Sequence, residues 1–263
     1  VDAMFEYLKL EVRDAVEEKT LRDFCEQSID NLTWLEAQGV EFEASLCPYK
    51  TSYPLDQYCL YYSGNESLQP YAQAAKPAQR GHRVKGKGMP GKRFFEPLKR
   101  AAHKLGMRFF YQSQAERLIA DESGRVIGLE IRQLLPGALT TWLHRVLERA
   151  AIKINNYVPQ LGKRFRGWLA DIESKHAKPR MIRARRGVVL SAGGFIYNRD
   201  MVKEYAPAYR PGMPLGTIGD SGAGIELGKS IGGATDRMGR VSAWRFINPP
   251  EAFTYGMLLN AKG

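Results

Sequence analysis

Three stretches of this sequence carry residue types that point to chemistry. The first is Ser191, Ala192, Gly193, Gly194 and Phe195, directly after the apolar run Val188, Val189, Leu190. Small residues at the carboxyl end of a strand leave the main chain bare to an approaching cofactor, and in open α/β sheets ligands bind at those ends. The same residues also suit a plain turn between a strand and a helix. The second stretch is Gly219, Asp220 and Gly222, ahead of a helical pattern in which Ile225, Leu227 and Ile231 face inward and Gly232 and Gly233 mark the end. A carboxylate there either caps the helix or turns toward a ribose hydroxyl. In the third, five tyrosines fall within the fourteen positions from Tyr49 to Tyr62. They pack on one another in a loop, or they wall a flat apolar ligand, since tyrosine offers a ring face and a hydroxyl together.

The elements that must position these residues are legible from periodicity. Phe5, Leu8, Val12, Leu21, Phe24, Ile29, Leu32 and Leu35 keep helical spacing, and Gly39 follows as a C-terminal cap. A further helix is expected over 92–106. Beyond it ERLIAD and RVIGLEI change to a period of two around Glu122, Ser123 and Gly124, the signal of a β-hairpin. In 140–154 and 161–172 apolar residues recur at steps of three and four, so two amphipathic helices are expected, broken apart by Asn155, Asn156, Pro159 and Gly162. Val188, Val189 and Leu190 have the unbroken apolar character of a strand buried on both faces of a parallel sheet.

With 263 residues, 44% hydrophobic and 25% charged, the chain has a globular composition, which excludes disorder and collagen-like order. Three cysteines spaced 22 and 12 apart fit neither a disulfide scaffold nor a zinc site, so no metal is expected and a reducing, cytoplasmic compartment is. No apolar run approaches the roughly 18 residues of a spanning helix. The net charge of +11 is uneven: residues 1–75 hold 5 basic and 14 acidic side chains, 76–100 hold 9 and 1, and 144–186 hold 12 and 3. The first basic island, 76–93, is rich in glycine and proline and reads as a mobile loop, solvated or in contact with phosphates or an anionic substrate. It lacks the aromatic interleaving of a single-strand platform, so no nucleic acid is expected. The second island flanks the two amphipathic helices, which carry Trp142 and Trp168. Such a hairpin either packs on the domain or makes a peripheral membrane contact through 140–172, on the inner face of the membrane.

The order of these pieces (the hairpin ERLIADESGRVIGLEI, the run RARRGVVLSAGGF, a helix with EYAP, then GDSGAGIELGKSIGGAT and DRMGRVSAWRF) resembles the FAD-binding flavoproteins of the fumarate reductase and succinate dehydrogenase superfamily. YYSGNE, the GHR loop and RARRGVVLSAGGF resemble its 3-ketosteroid dehydrogenase branch. The implied fold class is α/β: an incomplete Rossmann-like FAD-binding domain with a β-hairpin or meander, a helical insertion and part of an α+β substrate domain. Residues 1–36 and 92–235 are then the cofactor domain, with 134–180 its insertion, and 40–91 and 237–263 contribute to substrate binding. The resemblance implies that backbone around Ala115 lies by the adenine, that Ala192, Gly193 and Gly194 line the FAD, and that Asp220 contacts it. It offers Tyr61, Tyr62, Ser63 and Tyr255 for the substrate wall. The chain opens on Val1 rather than Met and closes on a strand-like run, so it reads as an excerpt, with the family's GxGxxG before Val1 and its principal catalytic tyrosine beyond residue 263.

That branch moves a hydride to flavin N5 and a proton to a tyrosine base, which implies an apolar, steroid-like substrate and an electron acceptor that the residues do not identify. A fumarate-reductase-like enzyme acting on a small dicarboxylate or enone is the second reading. It calls for Arg and His around substrate carboxylates, and 237–263 offer Arg237, Arg240 and Arg245 but no His. The third is a truncated, non-catalytic module whose hairpin docks to a membrane or partner.

Overall fold

The computed structural model describes residues 1–51, 53–155 and 159–242, and these fall in two compact units, one over 1–108 and one over 109–242. The first opens on three helices, α1 (Asp2–Val12), α2 (Glu18–Glu26) and α3 (Ser28–Ala37). Phe5, Leu21 and Cys25 form a core between α1 and α2, with Met4, Leu8 and Val12 packed around it. The Arg22 guanidinium stands 3.9 Å from the centre of the Phe5 ring and donates to Asp2, closing α1 onto α2 from the solvent side. Gly39, at φ +91°, donates to the Glu36 carbonyl, and Val40 donates to that of Leu35, so the expected glycine cap ends α3.

A small sheet follows, in the order β1 (Leu46–Lys50), β2 (Leu60–Tyr62), β3 (Gly81–His82), with α4 (Tyr71–Ala74) between the last two strands and α5 (Gly91–Lys104) after them. Strand β1 runs parallel to β2, and β3 antiparallel to it. The stretch read as a mobile loop supplies β3 and is pinned beyond it: Asp56 Oδ1 accepts from Arg83 Nη2 and from the Gly88 amide, both at 2.8 Å. Cys25, Cys47 and Cys59 are all buried and free, and burial pushes the Cys25 thiol up.

The second unit is built on an antiparallel meander, β4 (Ser113–Ala120), β5 (Val126–Gln133) and β6 (Lys178–Arg183). The β4–β5 hairpin turns at the expected place, because Gly124 takes φ +82° and Asp121 Oδ1 accepts from the Ser123 amide, the Ser123 hydroxyl and the Arg125 amide. Those bonds, the Ser123 hydroxyl first, hold the Asp121 carboxyl below its ordinary value. A depressed carboxylate contributes stability above its unfolded pKa and loses it as pH falls through the folded one. Amide exchange protection at Ser123 and Arg125 is therefore expected to fall on acidification below the ordinary Asp range of about 4. Asp121→Asn, which does not titrate, should show no such dependence; a wild-type turn with flat protection would count against this account.

Between β5 and β6 the chain leaves the sheet as two helices, α6 (Leu139–Asn155) and α7 (Pro159–His176), packed together as the helical hairpin that spacing predicts. Buried His144 joins them: Nε2 lies 2.7 Å from Glu173 Oε1 on α7, and Nδ1 lies 2.9 Å from Gln112 Nε2. The Gln112 amide donates to Nδ1, which leaves the imidazole proton on Nε2 for the carboxylate. The chain then passes through α8 (Arg199–Tyr205) and a 3-10 turn, Pro207–Tyr209, to α9 (Ala223–Lys229), which packs beside β4.

One expectation is overturned. Val188, Val189 and Leu190 form no strand among the described residues, and Val189 is 90% exposed. A parallel strand is held by ladders to neighbours on its flanks, and none of the described strands pairs with this run. Strand β6 lies partly inside the stretch assigned to the insertion. Its residues KPRMIR carry no alternation, and pairing with β5 is what makes it a strand.

Candidate functional site

The second unit brings two of the loops singled out by sequence onto one another. Gly222 N donates to Gly194 O at 2.9 Å, Tyr197 N to Asp220 O at 3.0 Å, and Asn198 Nδ2 to Ser221 O at 3.0 Å. Asn198 also accepts from the Asp200 and Met201 amides and so caps α8, tying the start of one helix to the approach of the next. Where Gly224 opens α9, an added Cβ would stand 3.1 Å from Ala192 Cβ, so small residues on both sides permit the close contact.

Asp220 does not cap α9: Gly222 is the N-cap, in the left-handed region at φ +80°, and no side chain bonds the helix start. Instead Oδ2 accepts from the Thr217 amide at 2.8 Å, and Oδ1 lies against Gly193, where a Cβ would collide with it. Gly193 has φ +77°, so only glycine meets both demands without strain. Gly194 opens onto free space and is exposed, as are Ala192 and Gly193. Ala115 sits on β4, opposite Ile131 at a bulge, on the strand beside which α9 packs.

In the first unit, Tyr61 and Tyr62 end β2 and Ser63 follows, exposed. Tyr61 is half-buried; an added Cβ on Gly81 would come 3.0 Å from its ring and 2.7 Å from Ser63 Cβ. Burial pushes the Tyr61 phenol up, against the pull of Arg83. The rest of YYSGNE is bolted to α1: Asn65 donates to Tyr7 Oη through its amide and to Glu11 Oε1 through its side chain, and the buried Glu66 carboxylate accepts from Gly64 N. Tyr7 donates to Glu11 at 2.9 Å, and burial moves its phenol far upward. Among the clustered tyrosines, Tyr49 meets Tyr58 edge to face at 6.2 Å, the self-packing arrangement. Tyr255 lies outside the described residues. The first basic island lines a cavity of about 440 Å³ with Lys85, Lys87, Lys92 and Arg93.

Sequence reasoning missed three contributors. Thr217 and Gly216 shape the pocket around the Asp220 carboxylate, and Asn198 locks the two loops. Asn198 had a readable signal, an Asn directly ahead of RDMVKEY. Gly216 had none, because its partner is reached only through the turn.

Residues 1–243 match the model of the FAD binding domain, and the chain belongs to that family. It is 36% identical over 276 aligned positions, covering the whole chain and half of its relative, to the 3-oxo-5-alpha-steroid 4-dehydrogenase of Comamonas testosteroni. A solved 3-ketosteroid-delta4-(5alpha)-dehydrogenase from Rhodococcus jostii RHA1, in complex with 4-androstene-3,17-dione, superposes with TM-score 0.68 at 26% identity, over 88% of this chain and 40% of that one. The open conformation of a flavocytochrome c3 fumarate reductase shares the fold, with TM-score 0.55 at 19% identity, over 88% of this chain and 29% of that one. Membership of the FAD binding domain family and the FAD-binding fold class expected from sequence are thereby established, and FAD is the cofactor. The chain spans about half the length of the curated relative it matches end to end.

The residues present fit that cofactor. Ala192, Gly193 and Gly194 offer bare, exposed main chain, and Asp220 Oδ1 is an acceptor beside it with no hydrogen-bond partner among the described residues.

Proposed function

We propose that the whole protein is an FAD-dependent dehydrogenase that oxidises a ring carbon–carbon bond of a 3-ketosteroid-like substrate. The observation that carries this reading is the meeting of Gly193, Gly194 and Asp220 where their two loops bond to one another in the second unit. The likeness to the Comamonas relative across the whole chain supports the substrate class.

When bound, FAD supplies the two-electron acceptor for a hydride. The chain's own part is placement. Main chain at 192–194 would admit the cofactor closely, the Asp220 carboxylate would accept a hydrogen bond from one of its hydroxyl or N–H groups, and Ala115 would contribute backbone by the adenine. A phenol raised by burial stays protonated near neutrality, so Tyr61 suits donation of a hydrogen bond to a keto oxygen rather than removal of a proton. Tyr62 and Ser63 complete that wall, and Tyr255 is a further candidate for it.

The test is anaerobic mixing of the full-length flavoprotein with a panel of 3-ketosteroids, set against oxidation of the reduced enzyme by fumarate. Bleaching of the flavin band by a steroid is the expected result. Turnover of fumarate with no bleaching by any steroid would replace the reading with the dicarboxylate one, and a full-length product that never retains flavin would replace both with the non-catalytic module.

A further inference from the structure

We propose that the α6–α7 hairpin is a docking surface for an anionic lipid bilayer. Helix α6 has a buried face and, on the opposite side, an exposed apolar one. Thr141, His144 and Ala151 are buried on the inner side, where His144 bonds Glu173 of α7. On the outer side Leu139, Trp142, Leu143 and Val146 fall at the i, i+3, i+4 and i+7 positions of one stripe, with Leu139 77% and Trp142 58% exposed. Helix α7 adds Leu161 and, two turns on, Trp168, which is 51% exposed with its ring 5.2 Å from that of Phe165. The inner faces already hold the hairpin together, so the outer stripe is surplus to its stability.

Charge selects the occupant. Arg145 and Arg149 lie one and two turns after Trp142, along the edge of the stripe, and Arg164 lies one turn before Trp168; all three are exposed. Residues 144–186 hold 12 basic and 3 acidic side chains, so the cations far outnumber local acids that would neutralise them. Aliphatic residues to enter acyl chains, indole rings for headgroup depth and arginines along the border match an anionic lipid surface. A helix of 17 residues, about 25 Å long, lies along that surface rather than crossing it, and no helix among the described residues is long and apolar enough to span. This inference stands apart from the flavin reading, because vesicle binding reports the hairpin and flavin absorbance reports the cofactor site.

The experiment is co-flotation of the full-length flavoprotein with vesicles of phosphatidylcholine alone or mixed with phosphatidylglycerol, at low and high salt. Binding is expected to the mixed vesicles and to weaken in salt. Exposed cations contribute about fivefold each, so Arg145→Gln with Arg149→Gln should weaken it about 25-fold. Trp142→Ser should weaken it at least about tenfold. Flavin content and circular dichroism are expected to stay at wild-type levels in both, and the arginine pair, being exposed, tests the idea even if the tryptophan variant misfolds. Equal binding to both vesicle types, wild-type affinity in the arginine variant, or no binding at all would overturn the proposal; in the last case another part of the whole protein or a protein partner covers the stripe.

Discussion

Full-length protein carrying Gly193→Val is expected to purify without its yellow colour. At φ +77° a β-branched residue is strained by about 1–2 kcal/mol before any contact is counted. Its Cβ would also collide with Asp220 Oδ1, so the carboxylate must swing away from Gly193. Losing one charge-assisted bond while narrowing the approach weakens FAD binding by about a hundredfold or more. The loop has a built-in control at the next position. Gly194→Ala has open space and an ordinary φ, so the apoprotein should melt as the wild type does, while flavin affinity falls if the cofactor passes over this backbone. Flavin-to-protein absorbance ratio and apoprotein melting, measured on both variants, separate site from fold. A full flavin complement in Gly193→Val would remove Asp220 and its glycine from the cofactor site.

Gly222→Val should act on the fold itself. This glycine is the left-handed N-cap of α9, and a Cβ there would strike Met201 Sδ and come within 3.0 Å of Met201 Cε and 3.1 Å of Phe195 Cβ. Met201 is buried on α8, and Phe195 packs against Tyr205 at 5.9 Å, so both contacts must shift to admit the new side chain. The amide of the same residue donates to Gly194 O, the bond that joins the two loops. Backbone strain of about 1–3 kcal/mol and overpacking of similar size sum to roughly 2–6 kcal/mol, or a fall of about 4–24 °C in melting temperature. Thermal melts of apoprotein and holoprotein should both shift. Unchanged melting would mean that the α8–α9 junction relaxes without cost.

The same junction separates what was readable in the sequence from what was not. Gly193, Gly194 and Asp220 could be chosen by type, because glycine after an apolar run and an acid before a helix are local patterns. That Asp220 would turn away from α9 to Thr217 and lie against Gly193 depends on a meeting of segments 27 residues apart. Strand β6 shows the same limit, since KPRMIR has no strand pattern and is recruited by the free edge of β5. At Val188 to Leu190 the error ran the other way: composition announced a buried strand, and among the described strands nothing pairs with it.

By itself the sequence determined the opening helices with their glycine cap at 39, the β4–β5 hairpin with its turn at Glu122, Ser123 and Gly124, and the two amphipathic helices. Each follows from the repeat of apolar residues along a few turns or pleats and from a turn residue's own φ preference, and such terms need no distant partner. Only tertiary structure decided which carboxylate oxygen faces which glycine, which strand completes the meander, and which face of α6 is left uncovered. Those depend on contacts between residues far apart in the chain, whose energies exist only once the segments have met.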